Sequence, residues 1–184
     1  IRLRGEDEAR AYYQSQSAAI DRIEAIQQAE AIGCDFARLD GFLFPPAESD
    51  IELLARETEA CHRIGFVDVA WVDRALLGAT QQGPCLRFPR QARFHPLKYL
   101  DGLVRCIRRD GGRLFSETAA EKVEEKGGAV IVTTSQGRTI RADAAIVATN
   151  SPINDWIAIH SKEAPYRTYV IGGRLPKGSV GDDT

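Results

Sequence analysis

Gly111-Gly-Arg-Leu-Phe-Ser-Glu-Thr118, then a charged segment, Gly127-Gly128, the run Ala129-Val-Ile-Val-Thr-Thr134, a Ser135-Gln-Gly137 turn and Ala142-Asp-Ala-Ala-Ile-Val-Ala-Thr-Asn150 decide how the chain reads. The breaks fall where strands end. Ala129–Thr134 is β-branched, and Gly127-Gly128 before it suits the positive φ angles of a two-residue hairpin turn. Ala144–Ala148 is continuously apolar without alternation, which predicts a strand covered on both faces. It stops at Thr149-Asn150-Ser151-Pro152. Small and polar residues at the carboxyl end of a buried parallel strand are where open α/β sheets place ligands.

Upstream, Phe94-His95-Pro96 precedes a helix whose Leu97, Leu100, Leu103, Val104 and Ile107 form one apolar stripe, ended by Gly111-Gly112. The order helix, glycine pair, strand, hairpin, buried strand suits a crossover packed on a nucleotide-binding sheet. Glu6–Ile32 reads as a long polar helix with Gly33 as its C-terminal cap. Cys34–Leu39, Asp40-Gly41 and Phe42–Phe44 read as a small hairpin. Ser49-Asp-Ile-Glu52 has the form of a capping box. The helix it opens is expected to run to Ile64, burying Ile51, Leu54, Thr58 and Cys61, and to close at Gly65. Phe66–Val69 is expected as a strand, Asp73–Leu77 as a short helical turn, Gln81–Pro84 as a loop and Leu86–Phe88 as a strand. Beyond Asn150, Ile153–Ile159 suggests a helical turn and Tyr166–Arg174 a strand.

The chain of 184 residues is 43% hydrophobic and 27% charged, an ordinary globular composition with an adequate core. Twenty-four Lys and Arg against 26 Asp and Glu leave no basic stripe for nucleic acid. No apolar run approaches the roughly 20 residues of a membrane span. A soluble cytoplasmic protein is expected. Cys34, Cys61, Cys85 and Cys106 lack Cys-x-x-Cys spacing and a neighbouring His pair, so they read as buried free thiols in a reducing compartment, and no metal site is assigned. The chain contains no methionine and opens Ile-Arg-Leu-Arg, so an interior segment of a longer protein is expected.

Four features taken in order, Phe94-His95-Pro96, Gly111-Gly112-x-x-Phe115 with Glu117-Thr118, the hairpin ending Thr134-x-x-Gly137, and Ala142-Asp143-x-x-Ile146-Val147-Ala148-Thr149-Asn150, resemble the D-amino-acid oxidase and glycine oxidase superfamily of flavoproteins. Ala164-Pro-Tyr-Arg-Thr-Tyr169 resembles the bacterial, amine-oxidising branch that often carries a Rieske iron–sulfur domain. The resemblance implies an α+β fold: a mixed or antiparallel substrate-binding sheet with flanking helices, plus part of a Rossmann-like sheet for FAD. It divides the chain into residues 1–92 (helix and substrate-binding portion), 93–150 (partial FAD-binding portion) and 151–184 (return strands to the substrate-binding portion). The superfamily's Gly-x-Gly-x-x-Gly loop occurs nowhere in these residues.

As residues alone, Ala148, Thr149 and Asn150 are either a strand end and an Asn turn or donors to a diphosphate or adenine edge. The resemblance implies FAD contact at these three and at Ala120, which falls where backbone groups meet the adenine ring. The histidines have no Ser or Cys partner in a nucleophile motif. His95 is therefore expected mainly as a helix start, with a substrate role as the alternative. Arg87, Arg93, Tyr166, Arg167 and Tyr169 are candidates to hold a substrate carboxylate, since guanidinium grips one bidentately, or are exposed sheet residues. No catalytic side chain is assigned, because hydride chemistry belongs to the flavin.

The function expected is that of a segment of an FAD-dependent oxidoreductase acting on a small-molecule amine or amino acid. The segment alone is expected to be inactive and free of flavin, and to self-associate through exposed docking surface. A non-catalytic binding or interaction module that keeps the fold is the alternative, and a segment of an NAD-dependent dehydrogenase is a third reading.

Overall fold

The computed structural model describes residues 1, 3–45, 51–73, 75–77, 80–149, 153, 173–174 and 176. The described residues carry three helices and eight strands, and the chain divides into two compact units, one of Ile1–Gly112 with Gly173–Thr184 and one of Arg113–Gly172.

The first unit is built on an antiparallel sheet of β1 (Ala37–Leu43), β5 (Cys85–Arg93) and β2 (Ala70–Val72), with β5 in the middle. Its helices are α1 (Glu6–Ala29), α2 (Ile51–Arg63) and α3 (Pro96–Arg109). β3 (Ala75–Leu77) and β4 (Thr80–Gln82) make a separate two-stranded pair. Leu54 and Cys61 of α2 meet Ile64, Phe66, Val69 and Leu86 in one core cluster. Ile32, Cys34 and Tyr99 form a second, with Phe36, Phe94 and Leu103 packed around them.

All three helices end in the same device, in which the chain turns through a left-handed residue and two N–H groups return to the last free carbonyls. After α3, Gly111 has φ 85, and Gly112 N donates to Ile107 O at 2.8 Å. After α2, Gly65 has φ 92, and Phe66 N donates to Cys61 O at 2.8 Å. After α1 the left-handed residue is Ala31 (φ 50), and Ile32 N donates to Gln27 O at 2.8 Å. The expected cap Gly33 is thus displaced by two positions. Placing Ile32, not Gly33, directly after the reversal drives an isoleucine into the second cluster, where it is 3% exposed.

The expected 34–44 hairpin is instead the single strand β1, paired along its length with β5. Asp40-Gly41 lies at a bulge, not a turn: Leu39 faces Gln91 and Gly41 faces Phe88, so Pro89 and Arg90 together oppose Asp40. Proline cannot donate to a ladder and is tolerated at such a break. Arg90 there takes φ 59.

Phe66–Val69 is not a strand: Phe66 closes α2, and the strand begins only at Ala70. The helical turn expected at 73–77 holds strand β3 instead, and its partner β4 runs into the loop expected at 81–84. In α2, Leu54 and Cys61 are buried as expected, but Ile51 is exposed. Ser49 of the expected capping box lies outside the described residues. In α3 the buried residues are Tyr99 and Gly102, whereas Leu97, Leu100 and Ile107 of the expected core stripe are 71%, 53% and 43% exposed. The helix turns Tyr99, Gly102 and, from the expected stripe, Leu103 toward the Ile32 cluster.

The second unit is an antiparallel meander of β6 (Ala120–Lys126), β7 (Ala129–Thr134) and β8 (Thr139–Ala142). Gly127 (φ 61) and Gly128 (φ 72) form the two-residue turn between β6 and β7, as their spacing predicts. Thr134, 3% exposed, closes the next turn: its N–H donates to Arg138 O at 2.8 Å, and its hydroxyl accepts from Arg138 N at 3.1 Å. The expected parallel strand at Ala144–Ala148 is not formed: this stretch is irregular and exposed, with Ile146 at 94%. A strand exists only through its ladder, and β8, which ends at Ala142, pairs with β7 alone. The sheets of both units are wholly antiparallel. The turn expected at Ile153–Ile159 and the strand at Tyr166–Arg174 lie essentially outside the described residues.

Candidate functional site

His95 stands at the N-cap of α3 with extended backbone (φ −91, ψ 104), and its Nδ1 accepts from Lys98 N at 3.4 Å. Such a cap satisfies one of the donors left open at a helix start. Pro96 follows at the first helical turn, where its missing N–H costs nothing. His95 N donates to Cys34 O at 2.7 Å, and Lys98 Nζ reaches Asp35 Oδ2 at 2.6 Å. The Lys98 hydrogen bond, then its charge, holds the Asp35 carboxyl below its usual range. Phe94 meets Tyr99 edge-on at 5.5 Å. The sequence Phe-His-Pro therefore joins strand end to helix start, and leaves the exposed imidazole with its Nδ1 already engaged.

Arg38 is the other polar centre of this unit. From β1 its Nη2 lies 2.6 Å from Asp21 Oδ1 and 2.6 Å from Glu24 Oε2 on α1, and its Nη1 donates to Arg90 O at the bulge at 3.0 Å. The Glu24 and Asp21 hydrogen bonds raise its pKa, which fixes its charge. Sequence reasoning passed over Arg38. The available signal is Asp21 and Glu24, three apart and so on one face of a helix that precedes a strand.

Of the carboxylate candidates, Arg87 is 3.4 Å from Asp40 and Arg93 is exposed. Tyr166, Arg167 and Tyr169 lie outside the described residues.

In the second unit Ala120 opens β6 at an irregularity: it faces Thr134 while Lys122 faces Thr133, so Glu121 is extra. Ala120 is exposed, and Ser135 N donates to Ala119 O at 3.0 Å beside it. Ala148 and Thr149 are exposed, on backbone outside any ladder. Asn150 lies outside the described residues. Ala120, Ala148 and Thr149 thus fall in one unit and His95 in the other. Ala148 and Thr149 stand outside the ladders, whereas Ala120 is paired with Thr134. A cavity of about 980 Å³ opens among α1, α2 and β5, and none of the residues assigned from sequence lines it. Among the described residues no group of His, Cys, Asp and Glu could hold a metal ion, and no helix is long and apolar enough to cross a membrane.

Comparison with known proteins adds what geometry alone lacks. The family model for FAD dependent oxidoreductases matches residues 3–177. The chain belongs to this FAD-dependent oxidoreductase family. It is 31% identical over 173 residues to the putative Rieske 2Fe-2S iron-sulfur protein YhfW of Bacillus subtilis, covering 93% of the chain and 33% of that protein. It is 32% identical over 135 residues to the probable oxidoreductase OrdL of Rhizobium meliloti, covering 66% of the chain and 31% of the relative. The chain therefore spans about a third of the length of these curated relatives. Among solved structures, it is similar to glycine oxidase from Geobacillus kaustophilus (TM-score 0.52, 15% identity, 77% of this chain and 38% of that one). It is also similar to L-amino acid deaminase from Proteus vulgaris (TM-score 0.51, 16% identity, 66% of this chain and 31% of that one). At such identities the likeness is one of fold. It agrees with the α+β architecture, and the cofactor of the family is FAD.

Proposed function

We propose that this chain is part of an enzyme that oxidises an amine or an amino acid by hydride transfer to FAD. The observation that carries the reading is the family match across residues 3–177. The substrate class is supported by neighbours named for glycine and L-amino acids. FAD supplies the redox chemistry when bound. Around it, the backbone at Ala120 and at Ala148, Thr149 and Asn150 is proposed to face the adenine and diphosphate, and His95, Tyr166 and Arg167 the substrate. The division at 1–92, 93–150 and 151–184 belongs to the same reading. His95 would act through Nε2, since Nδ1 serves the helix cap.

The segment alone is proposed to be inactive and to bind no flavin tightly, because it holds no Gly-x-Gly-x-x-Gly loop. Exposed Leu97, Leu100 and Ile107 support self-association of this polypeptide. Four free cysteines are in keeping with a cytoplasmic, reducing setting.

The test is the absorbance spectrum of the full-length protein purified from cells. A flavin spectrum that bleaches anaerobically on adding amines or amino acids is the expected result. A colourless protein that takes up no added FAD would favour a binding module that keeps the fold. The Rieske name of the Bacillus relative favours an iron–sulfur electron carrier over dioxygen as acceptor. Stoichiometric hydrogen peroxide during turnover would contradict that second point and leave the first intact.

A further inference from the structure

The two ring nitrogens of His95 have different duties. Nδ1 accepts from Lys98 N at 3.4 Å in the cap of α3. A backbone N–H can only donate, so the ring nitrogen that meets it carries no proton. In the neutral imidazole the proton then sits on Nε2. To anything outside the helix, neutral His95 is therefore a donor and not an acceptor.

The backbone that carries the ring is fixed on both sides. His95 N donates to Cys34 O at 2.7 Å, and Tyr99 N donates to His95 O at 3.1 Å. Asp35 is close enough for Lys98, His95 and Arg93 all to act on its carboxyl, and Lys98 Nζ already engages it at 2.6 Å. A substrate ammonium presents only N–H donors, which a protonated Nε2 cannot receive. A substrate carboxylate presents only acceptors, which it can.

We infer, on the reading of His95 as a substrate residue of an amine or amino-acid oxidoreductase, that its Nε2–H holds a substrate carboxylate and so selects an amino acid over the corresponding amine. His95 is then a specificity-determining residue, and not the base that takes a proton from the substrate nitrogen.

Two measurements on the full-length protein test this role. Long-range proton–nitrogen NMR spectra of histidine-labelled protein at about pH 8, above the ordinary histidine range, show which ring nitrogen is protonated, with His95→Gln identifying the signal. The proton is expected on Nε2; a proton on Nδ1 overturns the inference. Steady-state kinetics then compare the common amino acids, in both enantiomers, with the amines left when the carboxylate is removed. Amino acids are expected to be favoured about 10- to 100-fold in kcat/KM, the worth of one hydrogen bond to a charged group. His95→Asp, which keeps the helix cap, is expected to raise KM for the amino acid by a similar factor. His95→Gln, whose amide still donates, should raise it less. A preference for amines, or an unchanged KM in His95→Asp, overturns the inference and leaves the flavin reading intact. A colourless parent that oxidises neither series overturns both.

Discussion

Gly102 of α3 and Ile32, just beyond α1, are in direct contact: a Cβ built at position 102 would come within 2.4 Å of Ile32 Cγ2 and 2.7 Å of its Cγ1. The isoleucine fits against α3 because glycine there presents only backbone. Gly102→Ala is therefore expected to destabilise the first unit by about 1–3 kcal/mol, although alanine is the better helix former by about 1 kcal/mol. A denaturant midpoint measures it. In an Ile32→Ala background the clash has no partner, so the same substitution should there cost nothing or stabilise. An equal loss in both backgrounds would contradict the contact.

Ala31 performs a glycine's task at the end of α1, with φ 50 and the paired hydrogen bonds of the cap. A left-handed non-glycine residue costs about 1 kcal/mol or more. Ala31→Gly is expected to raise stability by roughly 0.5–1 kcal/mol. A lower midpoint would mean that this turn is not left-handed.

His95→Ala should cost about 1 kcal/mol by removing the α3 cap, and His95→Asp should restore most of it, because aspartate accepts from the same N–H groups. In the full-length enzyme the pair separates two roles. If His95 serves only the helix, His95→Asp keeps turnover; if its Nε2 meets substrate, both variants lose it.

Three carboxylates, Glu30, Asp35 and Asp110, are held below their usual pKa, by Arg109 and the Cys106 thiol, by Lys98 and by Arg109 respectively. A carboxyl depressed on folding contributes above its unfolded pKa, and the contribution is lost as pH falls through the lower folded value. Stability is expected to decline below about pH 4.5, the ordinary value for Glu30. All three are solvent-reached, so the effect should be modest and should shrink in salt. Thermal unfolding of Glu30→Gln between about pH 3 and 7 should show a shallower acid slope than the parent.

Much of this architecture was legible where local chemistry decides it. Gly65 and Gly111 were readable as caps because only glycine takes those φ values readily, and Gly127-Gly128 because a two-residue turn demands them. The α1 cap misled because an alanine occupies the left-handed position, which no propensity announces. Asp40-Gly41 has the composition of a turn and sits in a bulge, since the partner strand β5 arrives from more than forty residues away. The leucine stripe of α3 obeys helical period and yet lies largely exposed, because period identifies an apolar face but not what it packs on. The same holds for Ala144–Ala148, apolar in sequence and without a ladder. Ala120, Thr149 and Asn150 were drawn from resemblance to flavoproteins, as backbone donors leave no side-chain signature.

Helix α1 runs 24 residues without one buried side chain. Its ties to the rest of the first unit include Arg38 to Asp21 and Glu24, Arg63 to Glu6, and Arg10 Nε to Ile64 O. Hydrogen-exchange experiments would then find α1 in a layer of its own, opening well below the free energy of global unfolding while β5 and α2 stay protected. Beside these polar ties Tyr13 stacks on Phe66 and Ile23 and Ile26 lie against the second cluster, so added salt is expected to loosen the helix only in part, and apolar packing sets the remainder of its opening cost.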